Sequence, residues 1–322
     1  MATYNSITTR DEASALMPEE VSREIIKHMP EQSAVMRMAK QLPNMSRGQY
    51  RLPVLSALPT AYFLTGGSQT ARDYGLKQTT EQAWTDKYIY AEEIAAIIPV
   101  PENVIADVDY DLWAEVQPSI EEAIGQVFDL AVIYGTNAPE TWPSDLVTGA
   151  AAADNTVTLG TGVDLYEDIL GENGVVAKVE ADGYMVNGFL GHLIMRSKLR
   201  GVRATDGTLI FMPTMQGAAQ YTLDGAPVDF PRNGSMDSSQ TLLVAGDWSQ
   251  LVFSIRQDVS YKILTEAVIQ DGAGNIVYNL AQQDMVALRV TFRAGWQLPN
   301  PPNRVQETEA NRYPFGLLLP AS

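Results

Sequence analysis

Residues 98–146 read IPVPENVIADVDYDLWAEVQPSIEEAIGQVFDLAVIYGTNAPETWPSDL, and this stretch decides the fold. Its central apolar residues recur at intervals of three and four, which predicts one face of an amphipathic helix. These residues are Leu112, Val116, Ile120, Ile124, Val127, Phe128 and Ala131. Gly135 is expected to end the helix, and Pro118, which has no backbone N–H, is expected to kink or divide it. Such a helix would have roughly 23 residues and a length of about 35 Å. Few compact enzymes need a helix of that length.

The composition excludes several classes of site. The 322 residues include 39 acidic and 22 basic side chains, a formal net charge of −17, so the chain carries no basic footprint for nucleic acid. Without cysteine there are no disulfides, thiolate metal sites or cysteine nucleophiles. The polar, acidic N-terminus is unlike a signal peptide, and no apolar run approaches the roughly 18 residues that span a bilayer. We therefore expect a protein made in the cytoplasm, without a membrane span.

Short helices and a long polar loop are predicted before residue 98. Residues 18–29 and 32–40 have helical spacing, with Pro18 at a first turn and Pro30 as a stop. Strands are predicted near 51–55 and over 87–94, and the polar residues 65–82 lie between them. A polar loop of that length is unusual in a compact domain and commonly has a function.

After residue 146 the signals are shorter. Residues 147–161 read as a small-residue linker with a short strand, 164–180 as one helix weakened by Gly171 and Gly174, and 190–199 as another helix. Further strands are predicted at 184–186, 241–245, 259–264 and 284–293, and residues 271–275 have the composition of a hairpin turn. The apolar run 315–319 is expected to pack against its own subunit or a neighbouring one, because it would otherwise be an aggregation hazard.

Several segments together resemble the major capsid proteins of tailed bacteriophages with the Hong Kong 97 fold. The resemblance covers nearly the whole chain and is carried by many weak positions in the family's order rather than by a catalytic signature. They are Val100-Pro101, Asp111-Leu112-Trp113, Pro118, Glu122-Ala123-Ile124, Asp129-Leu130-Ala131-Val132, Gly135-Thr136, Pro139 and Trp142-Pro143, then Leu223–Val228 and Gly246–Val252.

The resemblance implies an α+β capsid subunit in six parts. These are an N-terminal arm (1–49), an extended β-hairpin loop that reaches over an adjacent subunit (50–92), a peripheral domain with the long spine helix (93–146), an axial domain (147–245), return strands of the peripheral domain (246–298) and a C-terminal tail (299–322). It also implies that copies form hexamers and pentamers of an icosahedral virion shell, assembled in the host bacterial cytoplasm, which encloses double-stranded DNA without specific binding. No scaffold-like domain is expected before the arm, so a separate scaffolding protein is expected, together with a portal, and a decoration protein is a further candidate.

No catalytic, cofactor-binding or metal-ligating residue is assigned. Asp107, Asp109 and Asp111 have the spacing that opens a calcium loop, but Leu112 and Pro118 stand where that loop needs glycine and glutamate. Helix capping explains these aspartates better.

Other candidate chemistry is weaker still. The only histidines, His28 and His192, are far apart, and no glycine-rich run forms a phosphate loop. The pairs Glu92-Glu93 and Glu121-Glu122 are adjacent residues, which do not face each other on a strand or helix.

One reaction of the family concerns lysine. Some members form lysine–asparagine crosslinks from the extended loop to a neighbouring subunit, and Lys77 and Lys87 lie in the matching region. No asparagine or glutamate partner aligns, so no residue is assigned to this reaction. Two other functions remain open: an encapsulin shell that encloses cargo enzymes, for which residues 18–29 are a candidate cargo pocket, and, more remotely, a cytoplasmic hydrolase.

Overall fold

A computed structural model describes residues 33–61, 79–107, 112–202 and 221–321. The α-helices of these residues are α1 (Ala34–Met38), α2 (Glu102–Asp107), α3 (Leu112–Tyr134), α4 (Leu146–Ala152), α5 (Leu165–Leu170), α6 (Val175–Ala181) and α7 (Leu193–Gly201). The strands are β1 (Lys40–Gln41), β2 (Gln49–Ala57), β3 (Ala83–Tyr90), β4 (Glu92–Pro101), β5 (Thr156–Thr158), β6 (Gly188–Gly191), β7 (Thr222–Leu223), β8 (Ala226–Asp229), β9 (Leu243–Gly246), β10 (Val252–Leu264), β11 (Val268–Gln270), β12 (Ile276–Asn279), β13 (Met285–Gln297) and β14 (Phe315–Leu319).

The predicted spine helix is α3, and it is one continuous helix of 23 residues. Pro118 lies inside it without dividing it, so of the two expected outcomes, a kink or a division, the division is wrong. The proline stands in the second turn, close to the N-terminus of the helix. The N–H groups of the first turn have no partner inside the helix in any case, so a proline near this end disrupts few hydrogen bonds. The helix ends before Gly135, as predicted. Gly135 has a left-handed φ of +67°, and its N–H donates to the carbonyl of Ala131 over 3.1 Å.

The buried face of α3 differs from the predicted one at its edge. Ile120, Ile124, Phe128 and Ala131 are buried as predicted, but Val127 is 44% exposed. Successive helix residues are about 100° apart, so Val127 stands on the solvent side of Phe128. The buried arc extends the other way, through Asp129 and Val132, because α1 packs there.

A mostly antiparallel sheet of four strands supports the spine helix. Its order is β1-β10-β13-β4, with only the β1–β10 pair parallel. The predicted strand 87–94 is in fact two strands that belong to different sheets, since β3 pairs with β2 whereas β4 pairs with β13. The chain changes sheet at Ala91, whose N–H donates to the carbonyl of Gly48 over 2.9 Å.

A second sheet has the order β5-β14-β9-β6-β8-β7. The C-terminal strand β14 is inserted between β5, to which it is parallel, and β9, to which it is antiparallel. The expectation that residues 315–319 pack against protein is confirmed within the subunit itself: Phe315, Leu317 and Leu318 are fully buried.

Three short elements around this sheet depart from prediction. Residues 164–180 form two helices, α5 and α6, because the chain turns at Gly171, which caps α5, and Gly174, which caps α6. The strand expected at 184–186 lies instead at Gly188–Gly191, where it pairs with β8 and β9. The small residues after 146, read as a linker, include α4, whose first turn is capped by Asp145.

The close packing of α4 on the C-terminal tail gives a prediction about Gly149. A Cβ atom at Gly149 would lie 2.4 Å from the Tyr313 ring, so we expect Gly149→Ala to lower the free energy of unfolding by about 1–3 kcal/mol. Chemical denaturation of the unassembled subunit measures this. Gly201→Ala is the matched control, since Gly201 is also helical and a Cβ there meets nothing within 4 Å. Equal stability of the two variants would contradict the packing argument.

The hairpin β2–β3 forms the base of the predicted extended loop, with Gln49 opposite Tyr90 and Ala57 opposite Ala83. Residues 62–78 of that loop and the predicted helix 18–29 lie outside the described residues. The predicted helix 32–40 is shorter than expected and is α1.

Candidate functional site: the arm and spine junction

The described chain begins where α1 crosses the spine helix, and the buried carboxylate of Asp129 holds the two together. Asp129 is fully buried. Its oxygens accept hydrogen bonds from Ser33 Oγ (2.5 Å), Ala34 N (2.9 Å) and Val35 N (3.1 Å). The N–H groups at the start of a helix have no partner within it, so the carboxylate satisfies the start of α1 from outside.

Two further residues complete this arm–spine junction. Asn233, from the loop after β8, donates from Nδ2 to Asp129 over 3.1 Å, which ties a third segment to the same carboxylate. One turn before Asp129 on the spine helix, Gly125 lets the arm approach closely, since a Cβ there would lie 2.9 Å from the backbone nitrogen of Ser33. The junction therefore fixes the position of Ser33, the first residue that the structure describes.

Electrostatics at the junction are set by two opposing effects. Burial raises the pKa of the Asp129 carboxyl above its ordinary value, while the hydrogen bonds from Ser33, Ala34, Asn233 and Val35 act to lower it. The group has donors on both oxygens and is closed off from solvent, which suits a structural connection better than proton transfer to a substrate.

A second buried polar cluster fixes the C-terminal tail. Arg312 is 2% exposed, and its guanidinium donates to Asn300 Oδ1 (3.1 Å), Asn300 O (3.0 Å), Gln306 O (2.8 Å) and Glu307 O (3.0 Å). None of these acceptors is a carboxylate. The guanidinium thus closes the irregular segment 300–312 into a compact loop that leads directly into β14.

The aspartates and histidines considered from the sequence do not come together. Asp107 is the last residue of α2, and Asp109 and Asp111 lie outside the described residues, so helix capping by these aspartates stays a prediction. His192 caps α7, where its Nδ1 accepts from the N–H of Ile194 over 3.1 Å; His28 also lies outside the described residues.

The glutamates and lysines have ordinary partners. Glu92 accepts from Thr141 Oγ1 over 2.7 Å, and Glu121 accepts from the Tyr261 hydroxyl over 2.6 Å. Lys87 Nζ lies 2.9 Å from Glu309 Oε1 of the same chain, whereas Lys77 is outside the described residues. This pair holds β3 to the tail loop, and the crosslinking reaction, to which no residue is assigned, is not tested by it.

Within the described ranges, no group of three or more histidine, cysteine, aspartate or glutamate side chains is placed to hold a metal ion. No helix among these residues is long and apolar enough to cross a membrane.

Sequence reasoning missed Asp129 and Arg312 as structural residues. A signal for Asp129 was present, because a charged residue stands directly between Phe128 and the apolar run 130–133 in the spine helix. A charge inside an apolar arc indicates a buried partner. Nothing comparable marks Arg312 before its contacts are known.

Comparison with known proteins places this architecture among phage proteins. The profile of the phage capsid family matches residues 13–302. The major capsid protein of Staphylococcus phage 80alpha is 24% identical over 291 residues, which are 89% of this chain and 83% of that protein. A solved structure from Microbacterium phage Oxtober96 superposes with a TM-score of 0.83 at 38% identity, covering 98% of this chain and all of that one. One from Mycobacterium phage Adephagia gives 0.81 at 30% identity, covering 98% and 99%.

Proposed function

The chain belongs to the phage capsid family, and we propose from this premise that it is the major capsid protein of a tailed phage. Its work is mechanical: copies associate into the shell of the virion and hold it closed around packaged DNA. The observation that carries the proposal is the family match over residues 13–302. The mixed helix and strand fold supports it, because relatives at 30% and 38% identity share that fold over nearly their whole length.

The geometry suits a shell subunit. The 23-residue spine helix packs along a sheet that contains the two 13-residue strands β10 and β13, which makes a stiff plate. The hairpin β2–β3 forms a two-stranded sheet of its own, separate from this plate. We propose that the six-part division given by the resemblance holds, with arm and loop as the elements that reach neighbouring subunits.

The proposed partners follow from closed assembly. Copies of this chain form hexamers and pentamers, and a scaffolding protein, a portal and a decoration protein are the further partners we propose. The net charge of −17 fits a wall that encloses DNA without gripping it, because like charges repel phosphate.

The alternatives have less support. An encapsulin shell has the same architecture, but the relatives named above come from phages. For a hydrolase, the polar clusters of the described residues are hydrogen-bonded in structural roles, as at Asp129 and Arg312. We therefore propose that the protein has no catalytic activity.

The hairpin β11–β12 is a specific candidate for a contact between subunits. Its two strands pair only with each other among the described residues, and Val268, Ile276, Val277 and Tyr278 are exposed. Its turn is well ordered by Asp271, which accepts from the N–H groups of Ala273 and Asn275. A hydrogen-bonded hairpin that exposes several apolar side chains indicates a surface that is covered in an assembly.

The test is electron microscopy with size-exclusion chromatography of the purified protein, alone and with its scaffolding protein. Closed shells or capsomer rings are expected, and their diameter separates a small encapsulin from a phage head. Ile276, 64% exposed, is the most informative position. We expect Ile276→Asp to lower the yield of shells by about tenfold or more, because an unpaired carboxylate is costly to bury and a loss of about 1.4 kcal/mol weakens a contact about tenfold.

Ile276→Thr, which keeps β-branching without a charge, is the matched control and should assemble nearly normally. Circular dichroism should show both variants folded. A protein that remains a 35.2 kDa monomer with scaffold supplied would overturn the capsid function. Normal assembly of Ile276→Asp would overturn only the role of the hairpin.

A further inference from the structure

A groove of about 1020 Å³ runs between the arm segment α1–β1 and strand β8 of the second sheet, next to α7. Its lining is partly apolar and aromatic, from Met38, Leu193, Pro227, Phe230 and Trp248. Trp248 is held in place because its Nε1 donates to the carbonyl of Gly188 over 3.1 Å. The groove is therefore a formed surface rather than a gap between loose side chains.

The charge of this groove is opposite to that of the whole protein. Four cationic residues line it, with Asp229 as the one acidic residue in the lining. The cations are Arg37, Lys40, Arg196 and Arg232. In a chain with 39 acidic and 22 basic residues, a local excess of three positive charges is a concentrated site for an anion.

Arg196 and Lys40 have side-chain donors without a partner among the described residues. Arg196 donates to the Tyr221 hydroxyl and lies 4.7 Å from the centre of that ring, but its buried Nε has no hydrogen-bond partner among the described residues. Arg37 pairs with Asp229 at the groove edge, whereas the side chain of Lys40 is exposed and has no ion pair within that part of the chain. The groove thus retains capacity for carboxylates.

The sequence contains a segment with complementary chemistry. Residues 11–20 read DEASALMPEE, with two acidic pairs, no basic residue, and Leu16 and Met17 between the pairs. The segment ends 13 residues before Ser33, which corresponds to a reach of up to about 45 Å in extended chain. Ser33 begins the arm segment that forms one wall of the groove, so the segment can reach the groove of its own or an adjacent subunit.

We propose that the basic groove binds the acidic segment 11–20 of this chain. The carboxylate pairs meet the cations on the groove walls, and the two apolar residues cover the surface around Phe230 and Trp248. This contact would fix the arm at a second point beyond Asp129, and between subunits it would link neighbouring copies.

The absence of native cysteine allows a direct test in the full chain. The variant Ala15→Cys with Leu193→Cys places one thiol in the segment and one at the groove, where Leu193 is 46% exposed. A flexible bismaleimide is expected to crosslink most of the protein, seen on denaturing gels as a faster band within one chain or as a dimer between chains. Either product supports the proposal.

The matched control pairs Ala15→Cys with Val163→Cys, a more exposed position outside the groove lining. This control should crosslink at least tenfold more slowly than the variant with Leu193→Cys, when the thiols at positions 163 and 193 react equally fast with a monofunctional maleimide. Adding Glu19→Lys and Glu20→Lys, or raising the ionic strength from about 0.05 to about 0.5 M, should slow the Leu193 reaction because the attraction is electrostatic.

Equal crosslinking at Leu193 and Val163, or a rate insensitive to Glu19→Lys with Glu20→Lys, would overturn the proposal. So would protection of the Leu193→Cys thiol by short duplex DNA in place of the segment, which would make the groove a phosphate site. Shell assembly is scored separately by electron microscopy, so failure here leaves the proposed function standing.

Discussion

Asp129→Ala is expected to lower the free energy of unfolding of the subunit by about 3–5 kcal/mol. The change removes both carboxylate oxygens and leaves four donors without an acceptor: Ser33 Oγ, Ala34 N, Val35 N and Asn233 Nδ2. Each buried donor left unpaired costs about 1–3 kcal/mol unless the arm detaches and exposes it to water. Urea denaturation of the unassembled subunit measures the loss.

Detachment of the arm gives a second readout. Limited proteolysis should cut Asp129→Ala between residues 33 and 41 while the spine helix stays protected. Glu122→Ala is the control, since it removes a carboxylate that is only partly buried from the same helix. It should change stability by no more than about 0.5 kcal/mol. If the two variants were equally stable, Asp129 would not be the connection between arm and spine.

The raised pKa of Asp129 also predicts a pH dependence. The folded state binds the proton more tightly than the unfolded chain, whose aspartate titrates near about 3.9. The stability that this group contributes is therefore fully present below about pH 3.9 and is lost as the pH rises through the folded pKa. The stability difference between the wild type and Asp129→Ala should shrink as the pH is raised from about 4; a difference that grows instead would contradict the raised pKa.

Arg312→Met is expected to destabilise the subunit by a similar amount, about 3–5 kcal/mol. Methionine preserves much of the side-chain length but donates no hydrogen bond. The carbonyl oxygens of Asn300, Gln306 and Glu307 would lose their guanidinium partner in a nearly buried site. Because this loop leads into β14, hydrogen exchange at residues 315–319 should accelerate along with the loss of stability.

The control for this variant is Arg289→Met, at an exposed position of β13. Surface changes of this kind stay within about 0.5 kcal/mol. A loss below about 1 kcal/mol for Arg312→Met, with unchanged exchange in β14, would show that the tail is held by its apolar contacts alone. Arg312→Lys separates charge from geometry, since one ammonium cannot reproduce the planar fork that serves acceptors on both sides.

Elements with a strong local signal were predictable. The spine helix was predicted from apolar spacing and the glycine at 135, and α3 ends at Tyr134. The strand 284–293 and the turn 271–275 are also present, the former extended to Gln297 and the latter between β11 and β12. Predictions were wrong where local signals were weak, as in the alanine-rich α4 and in residues 164–180, because packing rather than propensity decided those elements.

The family resemblance, the acidic charge, the absence of cysteine chemistry and the main helix and strands could be read from the chain alone, since these depend on composition and on spacing within a few residues. Only the tertiary structure decided which polar residues are buried and what they bind. Asp129 meets Ser33 across 96 positions, and β14 enters a sheet between strands from distant parts of the chain. The physical reason is that burial and hydrogen bonding over such separations depend on how whole elements pack, which no local period encodes.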